Sequence, residues 1–203
     1  MPICAVIFDM GGVILRTESP AGRRKWELRL GLKERELAQI VFGSEASTRA
    51  SIGLGTEADV WKNLASVFHL RDDQLEELER DFWSDDRIDA ALVQFIRDLR
   101  PRCRTAILSN AWFGAREAIS NKFGLGALVD AIIVSAEEGI AKPDARIYRI
   151  AAERLGVLPA EAVFVDDMEE NVQAARAVGM RGVQFKDTPQ ALVEVRLLLN
   201  ESA

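Results

Sequence analysis

The feature that most constrains the fold is an apolar run near the start of the chain, from Ile3 to Phe8, which ends in Asp9 followed by Gly11 and Gly12. The run is rich in β-branched residues and too short to cross a membrane, so it predicts a strand buried on both faces of a sheet. A carboxylate at the end of such a strand lies where open α/β sheets place their ligand crevice. Aspartate also begins many ordinary turns, so this segment needs support from the rest of the chain.

Length and composition indicate one folded unit with a substantial core. The chain has 203 residues, of which 48% are hydrophobic, and a formal net charge of −6 with both signs spread along it. Nucleic-acid binding requires clustered Lys and Arg, so we expect no nucleic-acid partner. No apolar run approaches the roughly 20 residues of a bilayer span, and no signal-peptide pattern is visible. We therefore expect a cytoplasmic protein without a membrane partner, as a monomer or homodimer, with Cys4 and Cys103 as buried free thiols.

Beyond Asp89 the pattern alternates between strands and helices. Further strands are predicted at residues 105–108, 131–134, 162–165 and 182–185. Strands separated by helices of about 10 to 15 residues form a parallel sheet through right-handed crossovers. The sequence therefore predicts an α/β fold: a Rossmann-like, three-layer core with a five-stranded parallel sheet.

Between residue 16 and about residue 88 the pattern predicts helices only, at 20–30, 33–42, 57–68 and 72–83. The segment 44–55 is small, polar and glycine-containing, and we expect a loop there. Thr56 and Asp59 stand in capping-box register at the start of the third helix. Because these helices interrupt the core just after its first strand, we expect residues 16–88 to form an inserted all-helical cap over the crevice. Residues 1–15 and 89–203 would then form the core.

Polar side chains follow three of the predicted strands: Asp9 the first, Ser109 and Asn110 the second, and Asp166 and Asp167 the fourth. The carboxyl ends of parallel strands meet at one edge of a sheet, so these groups can converge. Such hard oxygen ligands are typical of Mg²⁺, which would also relieve the repulsion between adjacent carboxylates. The sequence therefore predicts a magnesium site. On their own, the paired aspartates fit a helix cap equally well.

Lys142 lies just before Pro143 at the start of a predicted helix. A lysine there can reach into the crevice and offset negative charge, although taken alone it fits a surface lysine.

Together these segments resemble the haloacid dehalogenase superfamily of hydrolases, in the group with a small helical cap. Four motifs appear in the family's order, and the resemblance covers the whole chain. The motifs are FDMGGVI (8–14), ILSNA (107–111), GIAKPD with the following IY (139–148), and VFVDD with the following Asn171 (163–171).

The resemblance implies a phosphatase that acts on a small phosphorylated substrate. Asp9 would be the nucleophile that forms an aspartyl-phosphate. Ser109 and Asn110, with backbone amides near Asn110 and Ala111, would bind the phosphoryl oxygens. Lys142 would stabilise the charge on the nucleophile and the phosphoryl group in the transition state.

The resemblance also implies the metal ligands. Mg²⁺ would be bound by Asp9, the carbonyl of Gly11 and Asp167. Asp166 would bind the ion through water or pair with Lys142.

One position departs from the family pattern. Phosphatases of this family usually carry a second Asp two residues after the nucleophile, which protonates the leaving oxygen; here that residue is Gly11. General acid catalysis contributes on the order of 10²–10⁴-fold, so this loss favours a leaving group that departs easily, such as a sugar 1-phosphate or an acyl phosphate. The sequence is similar to a phosphatase subgroup that acts on glucose 1-phosphate, which also has Gly at this position.

Two alternatives stay open. A 2-haloacid dehalogenase using Asp9 needs no leaving-group proton, but dehalogenases of this family are metal-free, usually lack the adjacent acidic pair, and typically carry an aromatic residue where Gly11 stands. A non-catalytic binder of a phosphorylated ligand or a protein partner would have no need of the nucleophile. A metal-dependent phosphatase is the function that we expect.

Several other residues have a structural and a functional interpretation. Trp112 and Phe113 would pack beneath the cap or stack on a substrate ring, and we favour packing. Four arginines of the expected cap could contact the substrate: Arg16, Arg23, Arg24 and Arg49. A charged side chain is usually solvated at the surface, so we expect a surface role for each.

Overall fold

A computed structural model describes residues 2–100 and 102–200 of the chain. Within these ranges there are seven strands: β1 (Ala5–Phe8), β2 (Leu15–Thr17), β3 (Asp86–Ile88), β4 (Arg104–Ser109), β5 (Ala131–Val134), β6 (Ala162–Asp166) and β7 (Arg181–Gln184). Five of them form one parallel sheet in the order β5-β4-β1-β6-β7, and β2 and β3 form a separate antiparallel pair. The predicted five-stranded parallel sheet is therefore confirmed.

The helices connect the strands or lie between β2 and β3. They are α1 (Ala21–Leu30), α2 (Glu36–Gly43), α3 (Glu45–Ser51), α4 (Glu57–Phe68), α5 (Asp72–Phe82), α6 (Ala90–Leu99), α7 (Ala115–Glu117), α8 (Ser135–Glu138), α9 (Ala145–Leu155), α10 (Glu169–Ala177) and α11 (Thr188–Asn200). A π-helical turn, Ala118–Lys122, continues α7, and a 3₁₀ turn, Pro159–Glu161, precedes β6. Among the described residues, no helix is long and apolar enough to cross a membrane.

The continuous apolar run of β1 reflects burial on both faces of the sheet. Val6 and Phe8 belong to one buried cluster, which includes residues of α6 and α11. Ala5 and Ile7 belong to another, which includes residues of α9 and α10. The core therefore has the three layers that the sequence predicts, with β1 in the middle of the sheet.

The five helices α1 to α5 share a third buried cluster, which is rich in aromatic side chains. Trp26, Trp61 and Phe82 are almost completely buried within it. One member, Trp112, comes from the segment that follows β4. The indole Nε1 of Trp112 donates a hydrogen bond of 3.2 Å to Oγ of Ser47 in α3, so packing is the correct interpretation of this tryptophan.

Two expectations between residues 16 and 88 are wrong. The segment 44–55 is not only a loop, because α3 begins there: Oγ of Ser44 accepts a hydrogen bond from the Ser47 amide and caps the helix. Nor is this part of the chain purely helical, since β2 pairs with β3. Three-residue strands with charged side chains carry almost no apolar periodicity, so the sequence gives little sign of them.

Candidate active site

The carboxyl ends of β1, β4 and β6 place the candidate residues at one edge of the sheet. Phe8 pairs with Ile107 on one side and with Val165 on the other. Asp9 follows Phe8, and its amide donates to the Val165 carbonyl at 2.8 Å. Ser109 and Asp166 are the last residues of their strands. This arrangement brings the nucleophile candidate next to the predicted phosphate-binding and acidic residues.

Asp9 is buried, with 7% of its surface exposed, and its Oδ1 has two partners. The Met10 amide donates to it at 2.7 Å, and Nζ of Lys142 lies 2.8 Å away. The other oxygen, Oδ2, takes part in neither contact. The contacts of Oδ1 therefore fix the orientation of the carboxylate, and Oδ2 can react with a substrate.

Lys142 lies between two carboxylates. Its Nζ is 2.6 Å from Oδ2 of Asp166 as well as 2.8 Å from Asp9, and its side chain is 1% exposed. The Phe164 ring lies beside it, with its centroid 5.5 Å from the ammonium. The surface interpretation of this lysine is therefore excluded.

Asp166 is fully occupied by protein partners. Its Oδ1 accepts from the Met168 amide at 2.8 Å and from Nδ2 of Asn171 at 3.0 Å, while Oδ2 accepts from Lys142. The hydroxyl of Tyr148 in turn donates to the Asn171 carbonyl at 3.0 Å. Of the two roles expected for Asp166, pairing with Lys142 is the one that the structure has.

The Asp167 side chain lies close to the backbone of Gly12. A Cβ at Gly12 would lie 2.5 Å from Oδ2 of Asp167, and Gly12 has a φ of +79°, a conformation that favours glycine. Gly11 differs: a Cβ there meets nothing within 4 Å. The two adjacent glycines therefore have different roles, one in close packing and one beside open space.

The three carboxylates fit a divalent cation. Asp9, Asp166 and Asp167 each offer an oxygen, and these atoms lie within 4.8 Å of one another. All are hard oxygen donors, the ligand type that Mg²⁺ prefers. Oδ2 of Asp166 already accepts hydrogen bonds from Lys142 and Asn171. Asp9 and Asp167 are therefore the two carboxylates that could bind a cation directly.

Burial and a neighbouring carboxylate shift the pKa values of the acidic residues at this site upward. Burial raises the pKa of Asp9 to about 7; Lys142 opposes the rise, and the charge of Asp166 adds to it. Burial and the charge of Asp166 likewise raise the pKa of Asp167. Burial tends to lower the pKa of Lys142, but Asp9 and Asp166 outweigh it and raise that pKa. A single ammonium among three carboxylates leaves a net charge that a divalent cation would neutralise.

The residues at the carboxyl end of β4 differ in their contacts. Ser109 is buried, and among the described residues no side chain hydrogen-bonds to its hydroxyl. The Asn110 side chain instead bonds the backbone of Lys142: Nδ2 donates to the carbonyl at 2.9 Å, and Oδ1 accepts from the amide at 2.8 Å. The Ala111 amide donates to Oγ of Ser135 at 3.0 Å. The Asn110 side chain and the Ala111 amide thus both have protein partners.

The four cap arginines all have protein partners. Arg16 pairs with Asp89, Arg23 with Asp86, and Arg24 with Glu27, while Arg49 donates to the Leu54 carbonyl. These contacts favour structural roles for all four. Phe113 is 49% exposed, unlike its neighbour Trp112.

Sequence reasoning gave no individual role to four residues that shape the site: Gly12, Ser135, Tyr148 and Asn171. Tyr148 and Asn171 do lie within the recognised motifs, and Gly12 was noted only as half of a flexible pair. Ser135 has no signal in the sequence, because its partner Ala111 is 24 residues away and is joined to it only by the fold.

A buried carboxylate paired with a lysine lies at the edge of a parallel α/β sheet, beside a cluster of three carboxylates, where open α/β sheets place their ligand sites. The family model of haloacid dehalogenase-like hydrolases matches residues 3–179, so the chain belongs to that family.

Two relatives extend over nearly the whole chain. The sesquiterpene phosphatase astK of Aspergillus oryzae is 30% identical over 196 residues, which cover 96% of each chain. The fructose-1-phosphate phosphatase YqaB of Escherichia coli is 27% identical over 190 residues, or 89% of this chain and 95% of YqaB.

A family enzyme from Bacteroides thetaiotaomicron, solved in complex with magnesium and inorganic phosphate, shares the fold. Its TM-score is 0.75 at 19% identity, over 91% of this chain and 94% of that one. The family and these relatives make this protein a hydrolase of the phosphatase type.

Proposed function

We propose that this chain is a Mg²⁺-dependent phosphatase that hydrolyses a small phosphate monoester through an aspartyl-phosphate on Asp9. The observation that carries the proposal is the buried Asp9 carboxylate, fixed through Oδ1 by Lys142 and the Met10 amide, beside Asp167. A binder would not need to bury a nucleophile against a lysine. The neighbouring acidic pair argues against a metal-free dehalogenase.

In the proposed reaction, Oδ2 of Asp9 attacks phosphorus as the bond from phosphorus to the leaving oxygen breaks, and the leaving oxygen takes a proton from water to give the alcohol. Lys142 offsets the charge that gathers on the nucleophile and the phosphoryl oxygens. Ser109 donates its hydroxyl to a phosphoryl oxygen. Water then attacks the phosphorus of the aspartyl-phosphate, which releases inorganic phosphate and restores the Asp9 carboxylate.

Asp9, Asp167 and the Gly11 carbonyl would hold the metal, with Asp166 behind them on Lys142. Bound Mg²⁺ would neutralise charge on the carboxylates and the transferring phosphoryl group. The raised pKa values of Asp9 and Asp167 support this role. Burial disfavours the ionised form of both carboxylates, and a nearby cation would stabilise that form.

The substrate that we propose first is a sugar phosphate. The anomeric leaving oxygen of an aldose 1-phosphate departs with little help, which suits the absence of an acid at Gly11. The name of the Escherichia coli relative contains a sugar phosphate, and the name of the fungal relative contains a sesquiterpene. Phosphates of a sugar and of an isoprenoid alcohol should therefore both be tested as substrates.

We also propose that residues 16–88 act as a cap that covers the site, on a core of residues 1–15 and 89–203. Support comes from the separate buried cluster shared by α1 to α5 and from the β2–β3 pair at the point where these helices join the core.

The first prediction concerns the nucleophile. Wild type and Asp9→Asn are assayed against sugar phosphates, an isoprenoid phosphate, 4-nitrophenyl phosphate and 2-haloacids, with and without Mg²⁺. We expect phosphate release that requires Mg²⁺ and falls more than about 10³-fold in Asp9→Asn, since the amide is a poor nucleophile. Halide release without metal would instead establish the dehalogenase. No turnover of any of these substrates, together with measurable binding of phosphate, would establish a non-catalytic phosphate-binding protein.

A further inference from the structure

Lys142 does not itself lie at a strand end. β5 finishes at Val134, and α8 and a short loop separate it from Lys142, which lies eight residues farther on. Its ammonium nevertheless lies within 2.8 Å of two buried carboxylates. Something outside the sheet must therefore fix the backbone of this loop.

Asn110 makes that contact with two hydrogen bonds. Its Nδ2 donates to the Lys142 carbonyl at 2.9 Å, and its Oδ1 accepts from the Lys142 amide at 2.8 Å. The side-chain amide thus pairs with Lys142 as a neighbouring strand would. A primary amide offers one donor group and one acceptor at this spacing, whereas a carboxylate offers acceptors only.

A second pair of bonds fixes the other end of the same loop. Oγ of Ser135 accepts from the Ala111 amide at 3.0 Å and donates to the Ala111 carbonyl at 3.2 Å. Adjacent residues 110 and 111 therefore hold residues 142 and 135, which are the two ends of the segment that carries the lysine.

We propose that Asn110 is a positioning residue that acts through Lys142 and does not bind the phosphoryl group with its side chain. Asn110 directly follows Ser109 on β4, so the same strand end that presents the hydroxyl also sets the position of the ammonium. The kinetic part of this inference rests on the proposed phosphatase activity, while its structural part stands without it.

The variants are Asn110→Ala, which removes both hydrogen bonds, and Asn110→Asp, which keeps only the acceptor. The control is Asn121→Ala, because Asn121 is exposed and its side-chain amide donates to Oε1 of Glu117 at 3.2 Å, away from the site. Steady-state hydrolysis of 4-nitrophenyl phosphate and inhibition by inorganic phosphate are measured with Mg²⁺. Crystal structures of wild type and both Asn110 variants give the position of Nζ.

We expect kcat to fall on the order of 10- to 100-fold in Asn110→Ala, because a displacement of about 1 Å at a reacting group has such an effect. KM and the inhibition constant for phosphate should change less than about twofold, and Asn121→Ala should match wild type. In the crystals, Nζ of Lys142 should leave hydrogen-bond distance of Asp9. If Asn110→Ala does not fold, Asn110→Asp carries the same expectations.

Three results would overturn the inference. The first is a raised KM or phosphate inhibition constant with kcat unchanged, as a phosphate ligand would give. The second is an unchanged kcat. The third is a crystal structure of either variant in which Nζ of Lys142 stays within hydrogen-bond distance of both Asp9 and Asp166. A wild-type protein that releases no phosphate would refute the proposed function instead, and the crystal structures alone would then decide the role of Asn110.

Discussion

Two neighbouring glycines illustrate how single residues set the chemistry of this site. Gly12 has a left-handed backbone and lies against the Asp167 carboxylate, whereas Gly11 faces open space. A sequence pattern of two glycines does not separate these roles, since each depends on which side chain the fold brings near. Substitutions at the two positions should therefore have different effects.

Gly12→Ala should weaken the metal site. A non-glycine residue at this φ costs roughly 1–2 kcal/mol, and the new Cβ would push Asp167 away from Asp9. We expect the Mg²⁺ concentration for half-maximal activity to rise on the order of tenfold, and the melting temperature to fall. Titration of activity with Mg²⁺ and calorimetry test this expectation, with Gly11→Ala as the control. Equal Mg²⁺ dependence in both variants would contradict it.

Gly11→Asp should supply the missing general acid. The position has room, and a carboxylic acid there would protonate the leaving oxygen. We expect turnover to rise more for esters with poor leaving groups than for sugar 1-phosphates, by up to about 10²-fold. Gly11→Asn is the control of equal size without a proton to give. A similar gain for both substrate types would mean that another group already donates the proton.

At the scale of elements, α6 depends on a carboxylate that joins three parts of the chain. Oδ1 of Asp89 accepts from the Leu92 amide at 2.9 Å and caps α6, while Oδ2 bonds Arg16 of β2 and Thr188 of α11. Burial tends to raise the pKa of Asp89, but Thr188, the Leu92 amide and Arg16 outweigh it and lower that pKa. The ionised form is therefore the one that stabilises the fold.

Asp89→Asn should lower the free energy of unfolding by about 1–3 kcal/mol at neutral pH, the usual contribution of hydrogen bonds to a charged group. Because the folded pKa is depressed, this stabilisation is complete above the unfolded value of about 3.9 and is lost as pH falls through the folded pKa. The difference between wild type and variant should thus be constant at pH 5–7 and shrink below about pH 4. Urea denaturation at several pH values measures it. The exposed Asp98→Asn in the same helix is the control, and a difference that grows in acid would disprove the assignment.

The elements also show where sequence reasoning succeeds. Strand β5 and helix α4 were predicted within a residue, because a buried apolar run and a capping box are local signals. The pair β2–β3 was missed, since its stability comes from strands about 70 residues apart that carry no apolar pattern.

Over the whole molecule, helices α1 to α5 and the core meet at Trp112. This residue follows the end of β4, yet its ring lies in the aromatic cluster of these five helices, 6.0 Å from Phe42 and 6.4 Å from Trp83 between ring centroids. A change at the end of β4 can therefore reach α1 to α5 through direct packing.

Mg²⁺ with orthovanadate, a phosphate analogue, should slow amide hydrogen exchange across residues 16–88, and most strongly in α3, which carries Ser47. Ligand at the strand ends would favour the closed arrangement and so lower the population of open forms. Exchange measured by mass spectrometry with and without the analogue tests this, and β5 serves as an internal reference. Unchanged exchange in 16–88 would count against a moving cap.

The sequence alone determined the sheet and the helices between β2 and β3, and it singled out Asp9, Lys142 and the acidic pair, which the fold brings together. Burial, capping and motif order are local patterns along the chain. Tertiary structure decided what those residues touch. It shows that the Asn110 side chain bonds the Lys142 backbone, and it separates Gly11 from Gly12. The physical reason is that a side chain's role depends on which distant donor, acceptor or charge lies within about 3 Å, and only the folded chain sets that distance.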